Sequence, residues 1–116
     1  MSKVLILQPS LRPKDLSSAA RYGRIEFVFA DPGFQPSLEP GVATQEIDAA
    51  IENFRPEEDY VLFLGGDPIG AILLGFRLAT RFPGTNIRAM RWERERSPSG
   101  QRSSDSGFYV PALIKA

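Results

Sequence analysis

The predicted fold is decided by the stretch Tyr60-Val61-Leu62-Phe63-Leu64-Gly65-Gly66-Asp67-Pro68. Its first five residues form the most apolar run of the sequence. An unbroken run of this kind is typical of a strand buried on both faces at the centre of a parallel sheet. The two glycines allow a tight turn, Asp67 is placed as a helix N-cap, and Pro68 stands at the first helical position. The stretch therefore predicts a strand, a sharp turn and a helix in direct succession.

The helix after this turn is predicted from about Ile69 to Phe82, where Pro83-Gly84 ends it. Its apolar residues lie nearly all round the helix, which is typical of a helix inside a core. Small side chains allow neighbouring backbone to approach closely, and they occur at Gly70, Ala71, Gly75 and Ala79. We therefore expect this helix to be largely buried.

Two more strands are predicted upstream. Residues 3–7 are a short apolar run that ends at Gln8-Pro9-Ser10, and residues 25–29 combine isoleucine, valine and phenylalanine, which favour strands. Between them, Asp15 is placed to cap a short helix, and Gly23 is placed to end it in a left-handed conformation.

An ordered loop with the position of a lid is predicted over residues 31–42, because prolines and glycines surround the aromatic Phe34. A surface helix is predicted to follow with Thr44 as its N-cap, since Ile47, Ala50, Ile51 and Phe54 recur at helical spacing.

The chain is predicted to end in an antiparallel hairpin. Its strands are residues 86–93 and 108–114, its tip is flexible at about 95–107, and Pro111 places the last strand at the sheet edge.

The predicted order of elements, β-α-β-α-β-α-β-β, indicates a small Rossmann-like α/β domain with three layers. We expect a mostly parallel sheet of strand order 2-1-3-4-5 with a C-terminal antiparallel hairpin, and one domain over residues 1–116. In this order the direction of winding changes between the first and third strands, and ligands of such folds bind in the crevice at that point.

Composition excludes several kinds of active site. The 116 residues include no histidine and no cysteine, so a Ser-His-Asp triad, a Cys-His pair and a histidine or thiolate zinc site are impossible. The three lysines lie outside apolar surroundings that would activate them as nucleophiles. We therefore expect a protein that is not an enzyme and that holds no cofactor or metal. No apolar segment is long enough for a signal peptide or a membrane span, so we also expect a protein that contacts no membrane and remains where it is made.

The predicted crevice is the first candidate site, and it is formed by Gln8, Ser10, Gly65, Gly66 and Asp67. The N–H groups of a helix start attract anions, so the two glycines before the helix suggest a phosphate site. The Asp67 carboxylate opposes this interpretation, because as an N-cap it already accepts those N–H groups and repels phosphate. A structural cap is the favoured interpretation. A nucleotide held through magnesium by Asp67 and Asp31 is the alternative.

The second candidate site comes from a charge asymmetry. Residues 1–76 carry six basic and eleven acidic side chains, whereas residues 77–102 carry seven arginines and only two acidic side chains. The predicted hairpin site consists of Arg88, Arg91, Trp92, Arg94, Arg96 and Arg102. Arginines beside aromatic residues suit an acidic protein surface or unstacked nucleic acid bases. A further interpretation is that these charges only protect an exposed sheet edge from pairing.

Two stretches resemble a known group of proteins. Residues 14–25 carry an Asp-Leu-Ser start and a Tyr-Gly-x-Ile end, and residues 64–71 carry a Gly-Asp-Pro helix start, with Trp92-x-Arg94 downstream. This pattern resembles a group of small uncharacterised proteins from tailed bacteriophages. The resemblance implies a phage protein expressed in the host cytoplasm, and it implies no activity. The segment from Ser97 to Gly107 is longer than the tight hairpin of that pattern.

Together these observations lead to two functional hypotheses. The first is a non-enzymatic phage accessory protein that binds a host or phage macromolecule, preferably an acidic protein, through the arginine hairpin. Nucleic acid is the less favoured partner, because Glu93 and Glu95 interrupt the basic patch and the chain has no net charge. The alternative is a small-ligand domain that binds a nucleotide or metabolite in the crevice near Gly65-Gly66-Asp67. The sequence does not indicate an oligomeric state.

Overall fold

A computed structural model describes residues 2–12, 14–96 and 102–116 of the chain. Within these residues the elements follow in the order β1 (Lys3–Ile6), α1 (Ser17–Ala20), β2 (Arg24–Phe27), α2 (Pro40–Ile51), β3 (Tyr60–Leu62), α3 (Pro68–Arg81), β4 (Ile87–Arg96) and β5 (Arg102–Ile114). The predicted succession of strands and helices is confirmed. In the described part of the chain, every helix is too short or too polar to cross a membrane.

The five strands form one sheet in the order β2-β1-β3-β4-β5. All neighbouring strands are parallel except β4 and β5, which are antiparallel. This confirms the predicted α/β class, the strand order and the terminal hairpin. The fully buried residues 4–7 place β1 inside the sheet, and β5 lies at its edge as predicted from Pro111. The change of winding direction therefore lies between β1 and β3.

The core has two parts, one on each face of the sheet. Helices α2 and α3 cover the first face, where Ile47, Ile51, Leu74 and Leu78 pack on alternate residues of the strands. The one-turn helix α1 covers the other face, where Ala19 packs near Tyr60, Met90 and Tyr109. The sheet is therefore the middle of three layers, as predicted, but the layer on the α1 side is thin.

Helix α1 differs from its prediction at both ends. At its start, the N-cap is Leu16 rather than Asp15, although the Oδ1 of Asp15 accepts the N–H of Ser17, the first helical residue, at 2.9 Å. Gly23 was expected to adopt a left-handed conformation, and this is wrong, since its φ is not positive. A Cβ at this position would lie 2.7 Å from the backbone of Ser2. Gly23 is therefore required by a close approach of two chain segments, which local sequence does not reveal.

Helix α2 begins at Pro40, four residues before the predicted N-cap Thr44. Proline at the first helical position is favourable, because it has no N–H that would remain unbonded there. Thr44 lies inside the helix, and its hydroxyl donates a 2.9 Å hydrogen bond to the carbonyl of Pro40. The Thr44 hydroxyl was predicted to cap the start of the helix, but it forms a hydrogen bond to the preceding turn of the same helix.

Helix α3 confirms its predicted start and contradicts its predicted burial. Asp67 is the N-cap and Pro68 is the first helical residue. However, only Gly70, Leu74 and Leu78 are buried, whereas Ile72 is 65% exposed and Phe76 is 62% exposed. The expectation of a largely buried helix is wrong for this single chain, because the described residues after α3 form the strands β4 and β5 and include no further helix to cover it.

The terminal hairpin is much longer than the rest of the sheet. Strand β4 has 10 residues and β5 has 13, whereas β3 has only 3 and pairs with β4 at Val61 and Ala89. Regular strand structure extends into the predicted tip at about 95–107, because β4 reaches Arg96 and β5 begins at Arg102. The remaining residues, 97–101, lie outside the described residues, so the flexibility of the tip stays a prediction.

Candidate functional site

The predicted crevice lies where β1 and β3 end. Gln8 follows β1, and the turn Gly65-Gly66 follows β3 with φ angles of 114° and 106°. These angles belong almost entirely to glycine, so both residues are needed for the turn itself. Gln8 is buried, whereas both glycines are exposed, and Ser10 is half-buried two residues beyond Gln8. The turn thus forms the outer rim of the crevice.

Asp67 uses both carboxylate oxygens within the protein. Its Oδ1 accepts the N–H of Ile69 at 3.0 Å, which caps α3, and its Oδ2 accepts the N–H of Ser37 at 2.8 Å. The hydrogen bonds from Ser37 are the main reason why the pKa of Asp67 is lowered, and the bond from Ile69 contributes further. The structure therefore agrees with the interpretation of Asp67 as a structural cap. It adds a function that the sequence did not indicate, which is to hold the loop that contains Ser37.

That loop, residues 31–39, closes the crevice from above. The side-chain amide of Gln8 donates to the carbonyls of Asp31, Pro32 and Phe34 at 3.1–3.3 Å. Pro36 is fully buried, and the absent side chain of Gly70 makes room for it, since a Cβ at Gly70 would lie 3.0 Å from its ring. The loop was predicted to lie across the surface, but part of it is inserted into the core.

One polar atom of the crevice remains without a partner. The Oε1 atom of Gln8 is buried and accepts no hydrogen bond. It lies 3.7 Å from the position that a Cβ of Gly66 would occupy. A buried acceptor of this kind favours a donor, such as a water molecule or an N–H or O–H group of a ligand. It does not favour a phosphate oxygen.

The structure offers little support for a magnesium site here. Asp31 was considered as a ligand together with Asp67, but its Oδ1 accepts the N–H of Gly33 at 2.8 Å. Within residues 2–12, 14–96 and 102–116, no three acidic side chains gather into a group that could hold a metal ion.

The arginines of the predicted hairpin site do not form a single patch. Side chains alternate between the two faces of a strand. Arg91 lies on the face of β4 that carries Ile87 and Ala89, towards α3. Arg88, Trp92 and Arg94 lie on the opposite face, with Met90. Arg96 and Arg102 are paired in backbone register, but their side chains lie outside the described residues. A partner must therefore contact both faces of the ribbon, or only part of the predicted set.

Arg88 is held by the body of the protein. Its Nη1 donates to the carbonyl of Glu57, and its Nη2 donates to the hydroxyl of Tyr60 at 2.9 Å. Its guanidinium also stacks over the Tyr60 ring, 4.6 Å from the ring centre. Arg88 was predicted as a partner-binding residue, but these contacts give it a structural function at the base of the hairpin.

Trp92 is partly a structural residue. Its ring meets that of Tyr109 edge to face, with centres 4.8 Å apart, and 36% of its surface is exposed. Ser18 of α1 supports this pair, because its Oγ accepts the N–H of Tyr109 at 2.9 Å. Burial raises the pKa of the Tyr109 phenol, and the charge of Asp15 raises it further. The face of β4 that carries Trp92 is therefore supported by α1 as far as Trp92.

The outer part of the ribbon carries exposed side chains on both faces. Arg94 is exposed, Arg91 is exposed and forms an ion pair with Glu93, and Phe108 lies opposite Glu93 in register. Arg94 and Phe108 thus lie beyond the level at which α1 supports the sheet, whereas Arg91 lies level with the supported part, on the opposite face of β4. This region agrees with the predicted surface in position, although it contains fewer of the predicted residues.

The loop over the crevice was predicted from the sequence, but the contacts that hold it there were not. Ser37 donates its backbone N–H to Asp67, and Pro36 fills the space above Gly70. The only signal was the density of prolines between residues 31 and 40, which indicated an ordered loop. The loop contacts residues about 30 positions away in the sequence. No local sequence pattern predicts such contacts.

Comparison with known proteins agrees with the sequence resemblance. The profile described as phage Pam3 gp32-like protein matches residues 3–98, which is most of the chain. The chain belongs to the phage Pam3 gp32-like family. The expected phage group is thereby confirmed, and no function comes with it. Searches of curated proteins and of solved structures give no match. The family match contains the crevice and β4, whereas β5 lies beyond the matched residues.

Proposed function

We propose that this phage Pam3 gp32-like chain is a non-enzymatic accessory protein that binds an acidic protein partner through the outer part of its terminal hairpin. The main support is the length of the hairpin. Its strands of 10 and 13 residues continue well beyond the three-residue strand β3 that borders them. The long dimension of the molecule, 47 Å against 30 and 24 Å, is consistent with such an extension.

A two-stranded ribbon without further strands is only marginally stable in water. Its outer part is nevertheless rich in charge and carries the exposed ring of Phe108. Arginine and aromatic side chains contribute the largest share of binding energy at many protein interfaces. Arginine and aromatic residues on a projecting hairpin therefore support binding to another molecule rather than a role in the core of this one.

An acidic protein suits this surface better than nucleic acid does. Glu93 forms an ion pair with Arg91, and Glu95 follows two positions later, so the ribbon presents mixed charge. The chain as a whole has no net charge, whereas nucleic acid binding depends on neutralising many phosphates. A protein partner needs only a few charges at matching positions.

The absence of an enzymatic activity is part of the proposal. The chain contains no histidine or cysteine, and Asp67 and the amide nitrogen of Gln8 are engaged by the chain's own loop. A general base needs a hydrogen-bonding position open to substrate. The residues of the crevice are occupied with holding residues 31–39 instead.

The test is affinity capture from infected host cells at low and at moderate salt. The test variant changes Arg91, Arg94 and Arg96 to glutamate. The matched control changes Arg12, Lys14 and Arg21 to glutamate, which alters the net charge equally on exposed side chains outside the hairpin. We expect the wild type and the control to retain an acidic protein that the hairpin variant loses.

Defined probes distinguish the two classes of partner. A labelled glutamate-rich peptide and a single-stranded oligonucleotide of equal charge are titrated separately. The proposal requires tighter binding of the peptide and at least about a tenfold weaker affinity in the hairpin variant. Preferential binding of the oligonucleotide, or an unchanged set of captured proteins, contradicts it.

A small-ligand function of the crevice has one supporting observation, the buried and unpartnered Oε1 atom of Gln8. A ligand there must donate a hydrogen bond and must displace or bypass the loop that Gln8 and Asp67 hold. A thermal-shift screen of nucleotides, with and without magnesium, tests this second candidate. Stabilisation that Asp67→Ala alters supports it, and the absence of any shift at millimolar ligand eliminates it.

A further inference from the structure

The outer face of α3 is apolar and carries no charge along about two turns. Ile69, Ile72 and Phe76 are exposed on this face. The nearest arginine in sequence, Arg77, points towards α2, where its Nε and Nη2 bind both carboxylate oxygens of Asp48 at 2.8 and 2.9 Å. A helix face exposed to water normally carries polar side chains. The pattern is that of a buried helix, whereas one chain alone leaves it uncovered.

A groove of about 370 Å³ runs beside this face, between α3 and the hairpin. Small residues of α3 line its helix side, namely Ala71, Gly75 and Ala79. A Cβ added at Gly75 would meet no atom within 4 Å, so the groove is open at this point. The opposite walls include Phe63 and Ile114, which are both partly exposed.

We infer that the outer face of α3 binds a second copy of this chain, with the two α3 helices antiparallel across a two-fold axis beside Gly75 and Phe76. In this arrangement Phe76 of each copy meets Gly75 of the other, and Ile72 meets Ala79. Each helix thus supplies large side chains and the small residues that receive them. Such self-complementarity is what a two-fold interface requires.

The exposed apolar area is close to the minimum that a dimer interface needs. The exposed parts of Phe63, Ile69, Ile72, Phe76 and Ile114 amount to about 500 Å² in each chain, when an aromatic side chain is taken as about 200 Å². Complete burial of these side chains in two copies would cover about 1,000 Å², which is the lower limit for a specific interface. The lack of charge on the face is also typical of interfaces between identical subunits.

This inference is independent of the proposed hairpin function, because its main element is α3 and its chemistry is apolar, and of the hairpin it includes only Ile114 at the end of β5, far from Arg94. An acidic partner has nothing to bind on an uncharged helix face. Conversely, loss of the hairpin arginines is expected to leave the oligomeric state unchanged.

The experiment measures mass by light scattering and sedimentation at micromolar concentration. We expect twice the mass of one chain, 12.8 kDa, for the wild type, and a melting temperature that rises with protein concentration. Phe76→Glu places a charge in the interface and should weaken dimerisation at least about 100-fold. Leu11→Glu is the control, because Leu11 is 79% exposed on a different part of the surface.

Circular dichroism of Phe76→Glu verifies that the variant remains folded. A second measurement does not depend on that variant. The chain contains no cysteine, so Gly75→Cys introduces a single thiol close to the proposed axis, and a short thiol crosslinker should join two copies. Leu11→Cys should give no crosslinked dimer. A wild type of monomeric mass, or a Phe76→Glu variant that remains dimeric, overturns the inference.

Discussion

The backbone N–H of Ser37 donates a 2.8 Å hydrogen bond to Oδ2 of Asp67, while Oδ1 of the same carboxylate caps α3 through Ile69. One side chain thus starts a helix and holds a loop that is 30 residues away in sequence. The closed form of the crevice depends on this double contact, together with the three carbonyls that Gln8 binds.

Two substitutions of Asp67 should separate the cap from the loop contact. Asn retains an oxygen for the Ile69 N–H but offers Ser37 an NH₂ group, which does not accept. Ala removes both contacts. We expect unfolding free energies in the order wild type, Asp67→Asn, Asp67→Ala, measured by urea denaturation. Equal stability of the Asn and Ala variants would show that the cap contributes nothing measurable.

Acid should weaken the contribution of Asp67. Because the Ser37 and Ile69 hydrogen bonds lower its pKa below the ordinary 3.8, its ionised form stabilises the fold fully well above 3.8. This contribution is lost as the pH falls through the lowered pKa. The stability difference between wild type and Asp67→Asn should therefore shrink in that range. The Ser37 side chain makes the largest contribution to the lowered pKa, so titration by NMR should also show that Ser37→Ala raises the pKa of Asp67. A midpoint at or above 3.8 in the wild type contradicts the assignment.

Gly70→Ala should destabilise the protein although alanine favours helices. The added Cβ would lie 2.8 Å from Cδ2 of Leu7 and 3.0 Å from the ring of Pro36. We expect a loss of about 1–3 kcal/mol in the free energy of unfolding, typical of overpacking. Gly41→Ala in α2 is the matched control, because a Cβ there has open space, and it should not destabilise. Similar effects of the two substitutions would argue against insertion of Pro36 at this point.

Gly66→Val should also destabilise, for a backbone reason. The φ of Gly66 is 106°, a region that side chains with a branched Cβ avoid. We expect a loss of about 1–3 kcal/mol and a lower melting temperature. Melting like that of the wild type would mean that the turn adopts another conformation in solution.

Tryptophan fluorescence can report on the hairpin, because Trp92 is the single tryptophan of the sequence. A Cβ at Gly107 would clash with the backbone carbonyl of Glu93 and lie 2.6 Å from ring atoms of Trp92, so Gly107→Ala must displace both the strand backbone and the indole. We expect emission at longer wavelength, because the ring loses part of its contact with Tyr109. Val110→Ala changes a residue on the other face of β5 and should leave the emission maximum in place. An unchanged spectrum for Gly107→Ala would contradict the packing of Trp92 against β5.

Much of the fold was predictable because its signals are local. The apolar run before Gly65 and the Asp67-Pro68 cap act within a few residues, and the alternation of strands and helices leaves few possible topologies. The limits of the elements were less predictable. Thr44 and Gly23 have the chemistry of helix ends, yet one lies inside a helix and the other accommodates the backbone of Ser2.

The candidate sites were predictable only in part. Gln8, Gly66 and Asp67 were identified as neighbours, since strands β1 and β3 end at the same edge of the sheet. The loop that covers them was predicted, but its contacts with Asp67 and Gly70 were not, because they depend on distant segments. The arginines were identified as a cluster from their spacing, but the alternation of side chains along β4 divides them between two faces.

The sequence alone therefore determined the α/β class, the strand order and the start of α3, because neighbouring residues encode strand burial and helix capping. The tertiary structure decided three further properties: the crevice is closed by residues 31–39, Arg88 is held by Tyr60, and the apolar outer face of α3 is uncovered in one chain. Each of these depends on which segments the topology places side by side. That arrangement results from long-range packing, which no single stretch of residues determines.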